Sequence, residues 1–343
     1  MNRSLLDELA REHRWSQQAI AAALDLTGAR PGNLAWRAFG ARLLLGSGVG
    51  ALGAGIVCFV AANWQRFGVV GRFAVLEVGL VVCAGMAVWR SPRHKEGQAA
   101  LLLAILLVGA LLALFGQSYQ TGADLYELFF AWAGFALPFA LAGRTAPIWA
   151  LWWCVTNIAL ALSCGWLDPR HFVWVLLDQR GLGKPLLLLG ACAVNLAAAG
   201  AFTAASRTRQ AGTARLWLVR LLTVFAFAYG TFACILAVLG YGYPPHTSTQ
   251  DNFVVAAFAL ACAVIAYVTL RARNDVFPLA LIAGSFIAIS TVFIARHVRI
   301  RDIGIVLLLA LWVLGSSAAA GRLLMQWVRK WRIDERPASQ GSM

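Results

Sequence analysis

Ten stretches of this chain each run for about 17–23 residues with few or no charged side chains. Nothing else in the sequence limits its fold as strongly. As a helix rising 1.5 Å per residue, such a run crosses a hydrocarbon core about 30 Å thick. Water is absent there, so every backbone polar group must be paired internally, which leaves helices and closed barrels. The runs are continuously apolar rather than alternating, so the barrel is excluded. The composition agrees: 60% of residues are hydrophobic and only 13% charged, whereas soluble domains carry about a quarter charged. The expected fold is all-α, a polytopic transmembrane helical bundle of about ten spans. These are placed at 42–62, 69–89, 99–115, 125–142, 146–164, 185–205, 218–240, 253–270, 276–295 and 303–324.

The formal charge of +14 raises nucleic acid as a partner, but the basic residues are scattered between apolar runs, and no nucleic-acid partner is expected. Membrane topology explains them better, because Lys and Arg gather in cytoplasmic loops. With the N-terminus inside, 21 of the 29 Lys and Arg fall on the cytoplasmic side. The other eight are Arg66, Arg72, Arg170, Arg180, Lys184, Arg296, Arg299 and Arg301. This count predicts a multi-pass protein of the bacterial inner (plasma) membrane with both termini cytoplasmic. Segments 165–184 and 296–302 hold three positive charges each and oppose the trend.

Residues 1–37 are polar and lack the charged start and apolar core of a signal peptide. They read as a cytosolic helical hairpin. Ser4 and Asp7 open one helix in a capping-box pattern, and Ser16 caps "QQAIAAALDL", which stops before Gly28. Five Arg against four acids do not suit a DNA-reading pair. The predicted organisation is then a transmembrane half at 38–164, an outer interfacial loop at 165–184, a second transmembrane half at 185–324 and a cytosolic tail at 325–343. The loop contains "HFVWVLLD", anchored by Trp166 and Trp174. The seven cysteines all lie inside apolar runs without a CxxC pair, which predicts buried thiols and neither disulfides nor metal.

Two predicted outer loops contain no Lys or Arg: GQSYQTGADLY at 116–126 and "YGYPPHTSTQDN" at 241–252. The first span ends on the same side at "AANW". The orientation thus brings three clusters to one membrane face: Asn63 and Trp64; Gln117, Tyr119, Gln120 and Asp124; and Tyr241, Tyr243, His246 and Asp251. Amides and phenols supply donors and acceptors, and with aromatic rings they suit a neutral polar ligand or a membrane or periplasmic protein partner. The alternative is local: Gly116 and Gly122 turn the chain while the polar side chains cap helix ends.

The blocks "VAANWQRFGVVGRF", "FGQSYQTGADLYELFFAWAGFALP" and "ALWWCVTNIALAL" resemble the signature of a bacterial predicted-membrane-protein family of unknown function. The similarity covers roughly residues 38–162. The resemblance implies that Asn63, Trp64, Arg72, Gly116, Gln117, Tyr119, Gln120, Gly122, Asp124 and Asn157 are family positions, and it supplies no activity.

Within the spans, Glu77 lies about 12 Å below the outer edge, where an acid costs on the order of 2.5–3.5 kcal/mol on insertion scales. Two readings stand: a proton-coupling acid, or a structural acid hydrogen-bonded in the bundle. Asn157, Asn195, Ser285, Ser290, Thr291, Ser316 and Ser317 read as interhelical hydrogen-bonding groups, and Gly46 and Gly50 as a GxxxG approach site. The five histidines have no metal-binding spacing, and there is no phosphate loop, GxSxG elbow or paired acids. No cofactor, metal or catalytic group is expected. The leading function is a non-catalytic scaffold, sensor or assembly partner using the outer patch. The alternative is a secondary transporter of a small polar solute with Glu77 as coupling acid.

Overall fold

The computed structural model describes residues 13, 15–26, 32–63, 66–120, 122–164, 185–207, 216–240, 248–272, 275–297 and 303–334. Among the described residues there are eleven helices and no strand: α1 Gln17–Leu26, α2 Asn33–Ala62, α3 Val69–Arg90, α4 Lys95–Tyr119, α5 Leu125–Gly143, α6 Ala146–Ser163, α7 Pro185–Arg207, α8 Leu216–Leu239, α9 Ser248–Ala272, α10 Val276–His297 and α11 Ile303–Asp334. Helices α2 to α11 are ten in number, each long and apolar enough to cross a membrane. The protein is an all-α polytopic bundle. Helix α1 forms where Ser16 was expected to cap it: the Ala19 amide donates to Ser16 Oγ at 3.2 Å. The helix expected from Ser4, the segment 165–184 and residues 335–343 lie outside the described residues, while residues 325–334, expected as the start of the tail, continue α11.

Contacts divide the chain into two compact units, Met1–Gln120 and Thr121–Met343. This division falls before the loop at 165–184, which the sequence placed between two halves. Its physical reason is in the second unit, where α6 is tied to helices that follow the loop. Asn157 of α6 and Asn195 of α7 exchange amide hydrogen bonds, and the Tyr229 hydroxyl of α8 donates to the Asn157 carbonyl at 2.7 Å.

In the first unit α4 is the central helix. Leu101, Ala104, Ile105, Leu107 and Val108 are buried, and α2 and α3 pack on it. Glycines let them approach: a Cβ on Gly53 would lie 3.2 Å from Leu106 and one on Gly79 3.3 Å from Leu107. The expected approach site at Gly46 and Gly50 is not where α2 packs, since nothing lies within 4 Å of a Cβ built on either. Gly46 sits seven residues, about 10 Å, before Gly53, a level at which the parallel α4 is near its charged start, Lys95 and Glu96.

In the second unit α8 is central, packing against α6, α7, α9 and α10. Leu218, Leu222, Ala226, Tyr229, Ala233 and Leu236 are buried along it. Polar groups link the helices pairwise: Trp152 Nε1 donates to the Ala133 carbonyl at 2.8 Å, Thr231 Oγ1 to Ser285 Oγ at 2.7 Å and Trp312 Nε1 to Ser290 Oγ at 3.1 Å. Thr291 and Ser316 instead bond back to carbonyls of their own helices, the usual competing option for hydroxyls in a helix. All seven cysteines are free. Cys58, expected to be buried, is exposed, because α2 uses only one narrow face for packing.

Candidate functional site

The polar break at 116–126 is built differently from a loop. Helix α4 continues through Gly116, Gln117 and Ser118 to Tyr119, since one interior glycine costs a helix only about 1 kcal/mol. The turn comes later. Gln120 adopts the left-handed conformation at φ 44° and Gly122 at φ 64°. Gly122 therefore turns the chain as the sequence suggested, whereas Gly116 is helical.

This places Gln117 and Tyr119 on the last turn of α4. Tyr119 rests on an aromatic base: its ring centre is 4.9 Å from Phe115, one turn earlier, and 6.3 Å from Phe73 near the start of α3. Held from below, Tyr119 remains 60% exposed, and Gln117 and Gln120 beside it are exposed as well. Phe73 was missed by the sequence reading. Its signal was only an aromatic within the "GRF" block, with nothing to show that it supports a residue 46 positions later.

The end of α2 lies at this same end of the unit, since α3 begins immediately after it. Asn63 caps α2: its Nδ2 donates to the Phe59 carbonyl at 2.9 Å, while its own carbonyl accepts from the Arg66 and Phe67 amides. Phe67 then packs on Phe59 at 5.9 Å, and Arg72 Nε donates to the Phe67 carbonyl at 3.0 Å. Asn63 thus spends its donor on the backbone, which fits the local reading of that residue. Trp64 lies outside the described residues. The surface is consequently aromatic and amide-rich, and Arg66, just after α2, is exposed.

Asp124 begins the second unit's first helix. Its backbone carbonyl receives the Glu127 amide at 3.0 Å, but its carboxylate makes no capping bond and is exposed. Of the third cluster, Tyr241, Tyr243 and His246 lie outside the described residues. Asp251, expected in a loop, falls in the first turn of α9.

Glu77 is exposed on α3. The expected hydrogen bond inside the bundle is not formed: among the described residues no side chain bonds to it. Three open cavities lie in the second unit, and none of them is walled by Glu77 or by residues 117–120. Among the described residues no cluster of His, Cys, Asp or Glu is arranged to hold a metal ion.

Comparison with known families places this surface in context. Residues 7–149 match the family model described as predicted membrane protein (DUF2157). The DUF2157 match takes in most of the N-terminal segment, the whole of α2 to α5 and the first two surface clusters, but not the third, at Tyr241, Tyr243, His246 and Asp251. It ends before Asn157. No curated protein and no solved structure matches the chain. The family description states no activity, so the match agrees with the membrane reading that the ten long apolar helices carry and leaves function to the chemistry of the surface.

Proposed function

We propose that this is a non-catalytic scaffold or sensor of the bacterial inner membrane, with both termini in the cytoplasm. Its extracytoplasmic surface, centred on Tyr119, binds a membrane or periplasmic protein partner. One observation carries the reading: Tyr119 is exposed yet fixed on Phe73 and Phe115, next to the exposed amides of Gln117 and Gln120. A pre-positioned tyrosine loses little conformational freedom on binding, and Tyr is among the residues that interfaces favour. The Lys and Arg count supports the assigned side of the membrane. Asn63 shapes this end of the unit as a cap, and Asp124 follows the turn with a carboxylate free to meet a donor.

The test is a photo-crosslinking amino acid at position 119 in living cells. The reading expects one discrete protein adduct, lost when Gln117 and Gln120 are both changed to Ala. Adducts with lipid alone, or a protein adduct indifferent to those changes, would overturn it. The transport reading needs a solute path to Glu77, and none of the three cavities described above is lined by that residue.

A further inference from the structure

A second site lies in the other unit, independent of the Tyr119 surface. Helices α8, α9 and α10 line a half-open cavity of about 740 Å³, within the size range of small-molecule sites. Along α9 it runs from Asp251 to Cys262, eleven residues or about 16 Å at the helical rise. The two ends differ chemically. Phe258, Phe286, Phe293, Val255 and Ile289 make most of the wall apolar. Ser285 and Ser290 also border it, but their hydroxyls are already engaged with Thr231 and Trp312. The uncommitted polar groups are the Asp251 carboxylate and the Asn252 amide, adjacent at one end.

Asp251 is the anomaly. One of its carboxylate oxygens is fully buried and accepts no hydrogen bond from the described residues. A buried acceptor without a donor costs about 1–3 kcal/mol, and more when it is charged. The cation at the same end does not relieve it. Arg296 donates to the Val238 carbonyl and lies against Gly240, so it serves the unsatisfied carbonyls that end α8. His297 is stacked on Phe293 and meets that residue's carbonyl through Nδ1. The cavity therefore presents an unmatched negative group above an aromatic, apolar chamber.

We propose that this cavity binds an amphipathic organic cation, with its positive centre at Asp251 and its apolar body along Phe258, Phe286 and Phe293. The carboxylate supplies the charge complement, and the phenyl rings add cation–π attraction. Lipids without a cationic group lack the charge that Asp251 calls for, and anions are repelled by it.

The probe is the tetraphenylphosphonium cation, measured by equilibrium dialysis against the full-length protein in neutral detergent. Its near-isosteric anion, tetraphenylborate, serves as control. Saturable binding near one cation per chain is expected, with the anion at least tenfold weaker. Asp251→Asn should weaken the cation at least tenfold, Asp251→Glu should stay within about threefold, and Ala259→Trp, which fills the wall, should abolish binding. Gel filtration and thermal midpoint establish that each variant is folded. If Asp251→Asn fails to fold, the comparison of cation and anion on the unaltered protein decides alone. Equal binding of both ions, no saturable cation binding, or an Asp251→Asn protein that binds as before would each overturn the proposal.

Discussion

Asn157 and Asn195 face each other across α6 and α7 and exchange both side-chain amides: Asn195 Nδ2 donates to Asn157 Oδ1 at 2.8 Å, and Asn157 Nδ2 to Asn195 Oδ1 at 3.1 Å. Each also donates to the carbonyl four residues before it, Trp153 and Ala191 respectively. Both are buried, at 3% and 0% exposure, so the pair is closed to solvent and to ligands. Replacing Asn157 by Leu strands the amide of Asn195, which is predicted to destabilise the fold by about 1–3 kcal/mol. The double Leu variant is predicted to lose less than the sum of the single changes, with a coupling of about 0.6 kcal/mol and no more than about 1.7. Unfolding of the four proteins in micelles measures it, and strict additivity would show that the reciprocal bonds contribute nothing.

Gly230 marks the tightest approach in the second unit. A Cβ there would lie 2.1 Å from Phe258 Cε2 and 2.3 Å from Cδ2, and the Phe258 ring is itself held edge-on to Phe227 at 5.9 Å. With the ring pinned, Gly230→Ala is predicted to cost about 1–3 kcal/mol through overpacking. Gly230→Ala combined with Phe258→Leu should recover most of that loss. A lowered thermal midpoint in the single variant that the second change fails to raise would place the strain elsewhere.

How much of this was legible in the sequence depends on the distance over which each feature is decided. Span number and class come from local hydropathy, and each of the ten predicted spans lies on one of the ten long apolar helices. Ser16 capping α1 is decided within three residues and was legible too. Partners were less so. Asn157 and Asn195 each signalled an interhelical bond, but only packing shows that they choose one another, and nothing signalled that Tyr229 would join them. The Gly46 and Gly50 spacing was visible, yet which glycine meets a neighbour depends on where that neighbour begins. At the candidate surface the polar residues were legible, while Phe73, the support of Tyr119, was decided by tertiary contact. The end of α4 was misplaced for a local reason: the sequence offers Gly116 as a break, and the helix absorbs it and stops at Gln120 instead.

Glu77 tests whether exposure in the bundle means exposure to lipid. It occupies the ninth position of the 22-residue α3, close to mid-membrane. An acid at that depth opposes insertion by on the order of 2.5–3.5 kcal/mol. Because no side chain among the described residues bonds to it, Glu77→Leu is predicted to improve insertion of α3 and raise the yield of folded protein, with Glu77→Gln between the two. Glycosylation-reporter insertion of the α3 segment, together with thermal midpoints of the whole protein, measures both. A leucine variant that inserts better but unfolds more readily would reveal a partner for Glu77 and revive its reading as a coupling acid.

The sidedness of the Tyr119 surface rests on where the basic residues lie, and reporter fusions check it directly. Alkaline phosphatase folds outside the cytoplasm and green fluorescent protein fluoresces inside it. Fusions after Gln120 and after Gly240 are predicted to be phosphatase-active and dark. Fusions after Arg90, Arg207 and Ala272, each next to a cluster of Arg or Lys, are predicted to fluoresce and lack phosphatase. The two basic segments at 165–184 and 296–302 make the second unit the harder case, so the fusion after Gly240 is the discriminating one. Fluorescence there would mean that an additional crossing at 165–184 reverses α7 to α11, moving Asp251 and its cavity mouth to the cytoplasmic side while leaving Tyr119 outside. A dark, phosphatase-active fusion after Arg90 would reverse α3 as well, and with it the proposed extracytoplasmic partner.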